Sequence, residues 1–339
     1  MDGYIAFTDA TASQAGELTR LVPRLGTQLA ALGAARAFSG PGPVLLGIGA
    51  SLSAAAPAVW RLRAGGVAAW RLGAGDTPLP LATGEHPVVA ISQSGRSAET
   101  VAALASVAPE LRYAVVNTAP SPLSELASRT LDLGNIADSY ASTIGYTATV
   151  TALGMLAEAW ADGSPDASWA SLGERFRTVE TALRPELDAA AELFADAPSA
   201  DFVGGGASLG SAEAGALLFR EVARIPASAM STRQYLHGSM ESAGDGVHVL
   251  FGETREAQLA RTLTAAGHRV LLVTSDAQLD VPGATVVVLP ESSEAQRPVF
   301  EALALQGLVR RAAELRDVDI EEFVFHNDDT KLDPRDVPA

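Results

Sequence analysis

At 339 residues, 47% hydrophobic and 19% charged, the chain can bury one large core or two ordinary ones and is too apolar to be disordered along its length. A formal net charge of −16 repels polyanions, so neither nucleic acid nor an anionic membrane is an expected partner. There are no cysteines, which excludes disulfides, thiol nucleophiles and thiolate metal sites.

An N-terminal helix is expected first, followed by short β-like runs that alternate with helical stretches. PVLLGIG (43–49) predicts a strand, with a helix from about Ser51. VAAWRL, PVVAIS (87–92), a helix from about Arg96, RYAVVN (112–117) and a long apolar helix after Thr147 complete the first half. ADGSPDAS (161–168) is polar, carries Gly and Pro, and reads as a linker. The second half runs through a helix near 173–195, DFVGGGA, a helix from about Ser211, HVLFG, a helix from Arg255, HRVLLVTS, ATVVVLP and a last helix near 295–315. This alternation predicts parallel sheets flanked by helices, in two domains at 1–165 and 166–339. No export signal is visible in MDGYIAFTDATASQ, and apolar runs such as PVLLGIGA are too short to span a bilayer, so a cytoplasmic protein is expected.

The two halves repeat. LLGIGASLSAAA and FVGGGASLGSAE share G-x-G-A-S-L, with Ser51 matching Ser208. The pattern G-x-S-x-G around Ser208 resembles a hydrolase elbow, but the first-half copy breaks it while keeping the same strand and helix, so backbone geometry accounts for both. G-x-G at 47–49 lacks the third glycine of a dinucleotide fingerprint; no cofactor and no metal are expected.

The stretch 90-AISQSGRSAETV-101 ends a strand in hydroxyls and opens a helix. Free N–H groups at a helix start, together with Ser92, Gln93, Ser94 and Ser97, make an anion cradle, although serines also serve merely to cap helices. The second half is a control, because its counterpart 249-VLFGETREAQL-259 puts Glu253 where an anion would sit. One phosphate site, in the first lobe, is therefore expected. Lys331 in 323-FVFHNDDTKLDP-334 is the chain's one lysine. An amine can form a Schiff base where arginine cannot, so Lys331 is either a candidate nucleophile or a solvated tail residue. His326 on the same tail is a second candidate.

Together these residues resemble the double SIS (sugar isomerase) family, on S-Q-S-G-x-S at a first-lobe strand end and G-x-G-A-S-L at both lobe starts, over roughly residues 40–310. The similar chains are the isomerase half of glutamine–fructose-6-phosphate aminotransferase and stand-alone deaminases, ketose–aldose isomerases and fructosamine-phosphate deglycases. The resemblance implies two α/β lobes of flavodoxin-like three-layer build, with phosphate held by Ser51, Ser92, Gln93, Ser94 and Ser97. It also implies a catalytic glutamate at Glu221 and a histidine at His237 that reaches the neighbouring subunit of a homodimer. By residue type alone, Glu221 could equally be a solvated helix residue and His237 a loop histidine bonded to backbone. Departures are plain: Leu218 stands where the synthases have a lysine, A-S-T-K becomes 141-ASTI-144, and a longer segment separates Asp319 from Lys331.

The expected substrate is a small-molecule sugar phosphate. The expected reaction is aldose–ketose isomerisation of a hexose or amino-hexose 6-phosphate, with or without deamination. Deglycation of a 6-phosphofructosamine and a non-catalytic phosphosugar sensor are the alternatives. Ammonia from glutamine is not expected, since the 339 residues carry no glutaminase domain and no cysteine for its nucleophile.

Overall fold

Helix α1 (Phe7–Ala34) places Phe7, Leu18, Leu21, Leu25 and Leu29 on one buried stripe, which packs against the long helix α5 (Ile144–Asp162). In the computed structural model, which describes residues 4–325 and 330–332, the chain forms two units. The first runs to Gly173 and takes in Val324, Phe325 and Thr330–Leu332; the second spans Glu174–Phe323.

In the first unit the order is β1 (Val44–Gly47), α2 (Ala50–Ala64), β2 (Trp70–Gly73), β3 (Val88–Ser92), α3 (Ala98–Ala105), β4 (Arg112–Val116), α4 (Pro122–Leu126), β5 (Arg129–Asp132) and α5. All five strands are parallel, in the order β2-β1-β3-β4-β5. β1 and β3 are buried at every position, as expected for central strands covered on both faces, and their sequences are apolar up to the last residues, Gly47 and Ser92. α5 is buried from Ile144 to Trp160 and packs on α1 and α2.

The second unit holds most of α6 (Leu172–Ala190), then β6 (Ala200–Gly204), α7 (Leu209–Val222), β7 (Ala227–Ser231), α8 (Thr232–Leu236), β8 (Val247–Phe251), α9 (Thr254–Ala265), β9 (Arg269–Thr274), β10 (Thr285–Val288) and α10 (Arg297–Leu315). Its sheet is also parallel, in the order β10-β9-β8-β6-β7. Counted within each lobe, both sheets have the flavodoxin-like order 2-1-3-4-5. Among the described residues no helix is long and apolar enough to cross a membrane.

Three details differ from the sequence reading. β5 and β7 were not expected: RTLD is bounded by charges, and ASAMS has no β-branched residue and exists through its pairing with β6. α5 begins at Ile144, ahead of Thr147. The assigned linker, 161–168, packs instead as part of the first unit, which extends to Gly173, and residues 330–332 join that unit rather than the second. The reason is a buried anchor. Trp169 is 1% exposed and its indole donates to Glu158 Oε2 at 2.6 Å, while the Asp166 N–H donates to the same oxygen at 2.9 Å.

Glu158→Ala would leave both donors without an acceptor, and a loss of about 2 kcal/mol in unfolding free energy is expected, with Glu158→Gln losing less. Chemical denaturation of the three chains checks this; equal midpoints would show that the anchor contributes nothing.

Candidate active site

Each lobe begins with a strand whose last glycine lies against the next helix. A Cβ on Gly47 would stand 3.0 Å from the Leu52 nitrogen, and one on Gly204 would stand 2.5 Å from the Ser208 carbonyl oxygen. The repeated G-x-G-A-S-L is thus a packing requirement common to both lobes. Ser208 is accordingly no hydrolase nucleophile: it is buried and donates to Glu301 Oε1 at 2.6 Å, beside Ser211, which donates to Oε2. Burial raises the Glu301 pKa, although the two serines oppose the shift.

In the first unit, β1 and β3 are neighbours whose connections leave in opposite directions, the place where open α/β sheets form a crevice. A cavity of about 160 Å³ lies there. It is lined by Ser51 at the start of α2, by Ser92, Gln93, Ser94 and Ser97 between β3 and α3, and by Lys331. The structure therefore brings all five expected phosphate ligands together with the lysine.

The loop is shaped by its own hydrogen bonds. Gly95 N–H donates to Ser92 Oγ at 3.1 Å, Ser92 Oγ lies 3.0 Å from Ser97 Oγ, and Arg96 N–H donates to Ser94 Oγ at 3.3 Å. Ser97 is the N-cap of α3, yet its hydroxyl makes no capping bond and faces Ser92 instead. Gly95 has φ +64°, and a Cβ there would fall 2.0 Å from Ser121 Oγ, so this turn admits no side chain.

Tyr4, Tyr140, Asp138 and Ser142 line the same cavity. A carboxylate beside the expected phosphate ligands needs explanation, and the hydrogen bonds of Asp138 supply one. Its Oδ2 accepts from Ser142 Oγ at 2.8 Å and its Oδ1 from the Thr143 N–H at 3.0 Å and hydroxyl at 2.9 Å. It thus organises the start of α5, where the helix dipole favours negative charge. The Lys331 amine donates to Tyr4 Oη at 3.0 Å, and Tyr4 stacks edge-on against Tyr140 with centroids 5.2 Å apart.

Glu221 and His237 belong to the second unit. α7 buries Ala212, Gly215, Ala216, Phe219 and Val222, and carries Glu221 in its last turn. The residue keeps accessible surface, yet surrounding protein removes enough hydration to push its carboxyl up to about 7. Accessibility and desolvation differ here because a group can be reached by solvent while much of its hydration shell is displaced. A helix C-terminus also disfavours negative charge. His237 is exposed and ends α8. Glu253, the expected obstacle to a second anion site, opens α9 and is ion-paired with Arg297 and bonded by Ser275. Burial works against its ionisation, but those two partners outweigh it and hold its pKa below the ordinary value. His326 lies outside the described residues, within which no group of three or more His, Asp or Glu is arranged to hold a metal ion.

A family model described as the SIS domain matches residues 44–159. That span is a SIS domain. Glutamine–fructose-6-phosphate aminotransferase [isomerizing] from Thermococcus kodakarensis is 30% identical over 255 residues, covering 68% of this chain. The chain spans about 42% of the length of that relative. The C-terminal domain of glucosamine-fructose-6-phosphate aminotransferase from Francisella tularensis superimposes with a TM-score of 0.77 at 21% identity, covering 94% of this chain and 98% of that one. Tagatose-6-phosphate ketose/aldose isomerase from Escherichia coli superimposes with a TM-score of 0.73 at 18% identity, covering 94% and 96% respectively. Both lobes have the SIS-type α/β fold.

Within the SIS domain the sequence signalled Ser51 and the serine loop but not Asp138 or Tyr140. The pairing of Asp138 with Ser142 and Thr143 was readable as a local capping arrangement, since Asp, Ser and Thr recur just before an apolar helix. Tyr4 carried no local signal at all.

The Glu221 shift has a measurable sign. Between about pH 4.5 and about 7 the folded chain binds more protons than the unfolded one, so this group makes the fold less stable as pH rises through that window. Glu221→Gln removes the effect. Its melting temperature relative to wild type is expected to climb from pH 4 to pH 8, in melts taken across that range; a constant difference would contradict the raised pKa.

Proposed function

We propose that the protein is a phosphosugar enzyme that interconverts aldose and ketose forms of a hexose or amino-hexose 6-phosphate, releasing ammonia where the sugar carries an amine. The observation that carries this is one pocket holding both a hydroxyl-rich helix start and the chain's sole lysine. That similar proteins are a glutamine–fructose-6-phosphate aminotransferase and a tagatose-6-phosphate isomerase supports the substrate class.

Ser51, Ser92, Gln93, Ser94 and Ser97 are read as the phosphate ligands, supplementing backbone N–H groups in a chain too acidic to attract an anion by net charge. Lys331 would add to the carbonyl of the open-chain sugar and lose water to give an imine, which acidifies the adjacent C–H. Glu221, with its raised pKa, is read as the group that carries the proton between C1 and C2. His237 is read as passing the ring-opening proton, contributed to the neighbouring site in a homodimer. Deglycation of a 6-phosphofructosamine would use the same acid and base but no side-chain amine.

Glucose, fructose, glucosamine and fructosamine 6-phosphates are expected to raise the melting temperature, and product analysis then identifies the reaction. If none stabilises the chain, the serine cradle is not a phosphate site; stabilisation without product means a sensor. Glu221→Gln is expected to lower turnover by about 10²–10⁴-fold with stabilisation retained. Lys331→Arg is expected to abolish turnover under the imine mechanism, and unchanged turnover would shift the assignment to deglycation.

A further inference from the structure

Residues 330–332 return to the serine loop as a short extended segment. The Leu332 N–H donates to the Arg96 carbonyl at 2.9 Å, the Ala98 N–H donates to the Thr330 carbonyl at 3.2 Å, and Ser97 and Lys331 face each other in an isolated antiparallel bridge. One such bridge is marginal in water. Two further contacts hold it.

The first is apolar: Leu332 packs against the core cluster of the first unit, which includes Leu104, Val116 and Leu123. Side chains alternate along an extended segment, so packing the half-buried Leu332 against the core turns Lys331 to the opposite side, toward the cavity that it lines. The second is Arg96. Its Nε donates to the Leu332 carbonyl at 2.7 Å, and Nη2 donates to the same oxygen. Arg96 is the cation of S-Q-S-G-R-S and would be the obvious anion ligand by charge. Yet it is not among the residues lining the cavity, and its donors grip the chain on the other side.

We propose that Arg96 and Leu332 are positioning residues that dock Thr330–Leu332 on the serine loop, and that this docked segment delivers the Lys331 amine to the pocket, with Tyr4 as its orienting acceptor. The inference rests on the phosphosugar reading for what the amine does, and on geometry alone for how it is held. It also explains an arginine in the loop: its planar fork can place two N–H groups on one carbonyl oxygen, which an ammonium on a flexible stem does less well.

The test uses the full chain and Arg96→Ala. Amide exchange at Ala98 and Leu332 is expected to quicken by about tenfold or more in the variant, as for loss of one hydrogen bond to a charged group, while Val89 and Val115 in β3 and β4 keep their wild-type rates. Borohydride trapping with fructose 6-phosphate, read by mass on the sole lysine, is expected to yield about a tenth of the wild-type adduct on the same grounds. The variant should lose kcat with KM little changed. Unchanged exchange at Ala98 and Leu332 overturns the docking role, and faster exchange with undiminished trapping overturns the positioning role. A wild-type chain that gives no Lys331 adduct removes the imine and with it the positioning of the amine, leaving the serine cradle to stand on the phosphosugar screen.

Discussion

Parallel strand pairing is the constraint on which the first unit depends. Each crossover must carry the chain back past the sheet, so every strand ends at the same edge and the following helix begins there. The loops after β1 and β3 therefore meet at that edge, joined by the segment after β5, and their residues gather around one cavity although they lie far apart in sequence. The hydroxyls of Ser51, Ser92, Ser94 and Ser97 converge because the topology leaves them nowhere else to go.

The second lobe shows what the topology alone provides. It repeats the strand order and the tight strand-to-helix packing at Gly204, but fills the corresponding region with its own charges. Glu253 occupies the start of α9 and is neutralised by Arg297, and Ser208 is committed to the buried carboxyl of Glu301. A common scaffold with one lobe open and the other closed by internal ion pairs and hydrogen bonds separates packing residues from chemical ones more cleanly than either lobe could alone.

How much of this was legible follows from the range of each interaction. Apolar runs such as PVVAIS and the turn SQSGRS are local, and both appear where their sequence places them. ASAMS becomes a strand through its neighbour β6, a pairing that no short window records. The pairing of Lys331 with Tyr4 and the packing of Leu332 depend on segments far apart in sequence meeting, so the lysine could be noticed as an oddity but not seated. Arg96 is the clearest case of a misleading local signal, since a cation in a hydroxyl-rich loop donates to a carbonyl 236 residues away. Glu221 lay in the expected helix, and its raised pKa needed the three-dimensional surroundings to be seen.

The contact between Tyr4 and Lys331 joins positions 327 residues apart. A chain growing from the ribosome has made the serine loop and every strand of the first sheet by Asp132, 199 residues before Lys331 (331 − 132). For that whole interval the pocket has its hydroxyls but no amine. Completion of the pocket is thereby tied to the arrival of residue 331, which follows every named helix and strand of both units, and loss of residues 330–332 would take from the first unit both the amine that lines its cavity and the leucine that packs on its core.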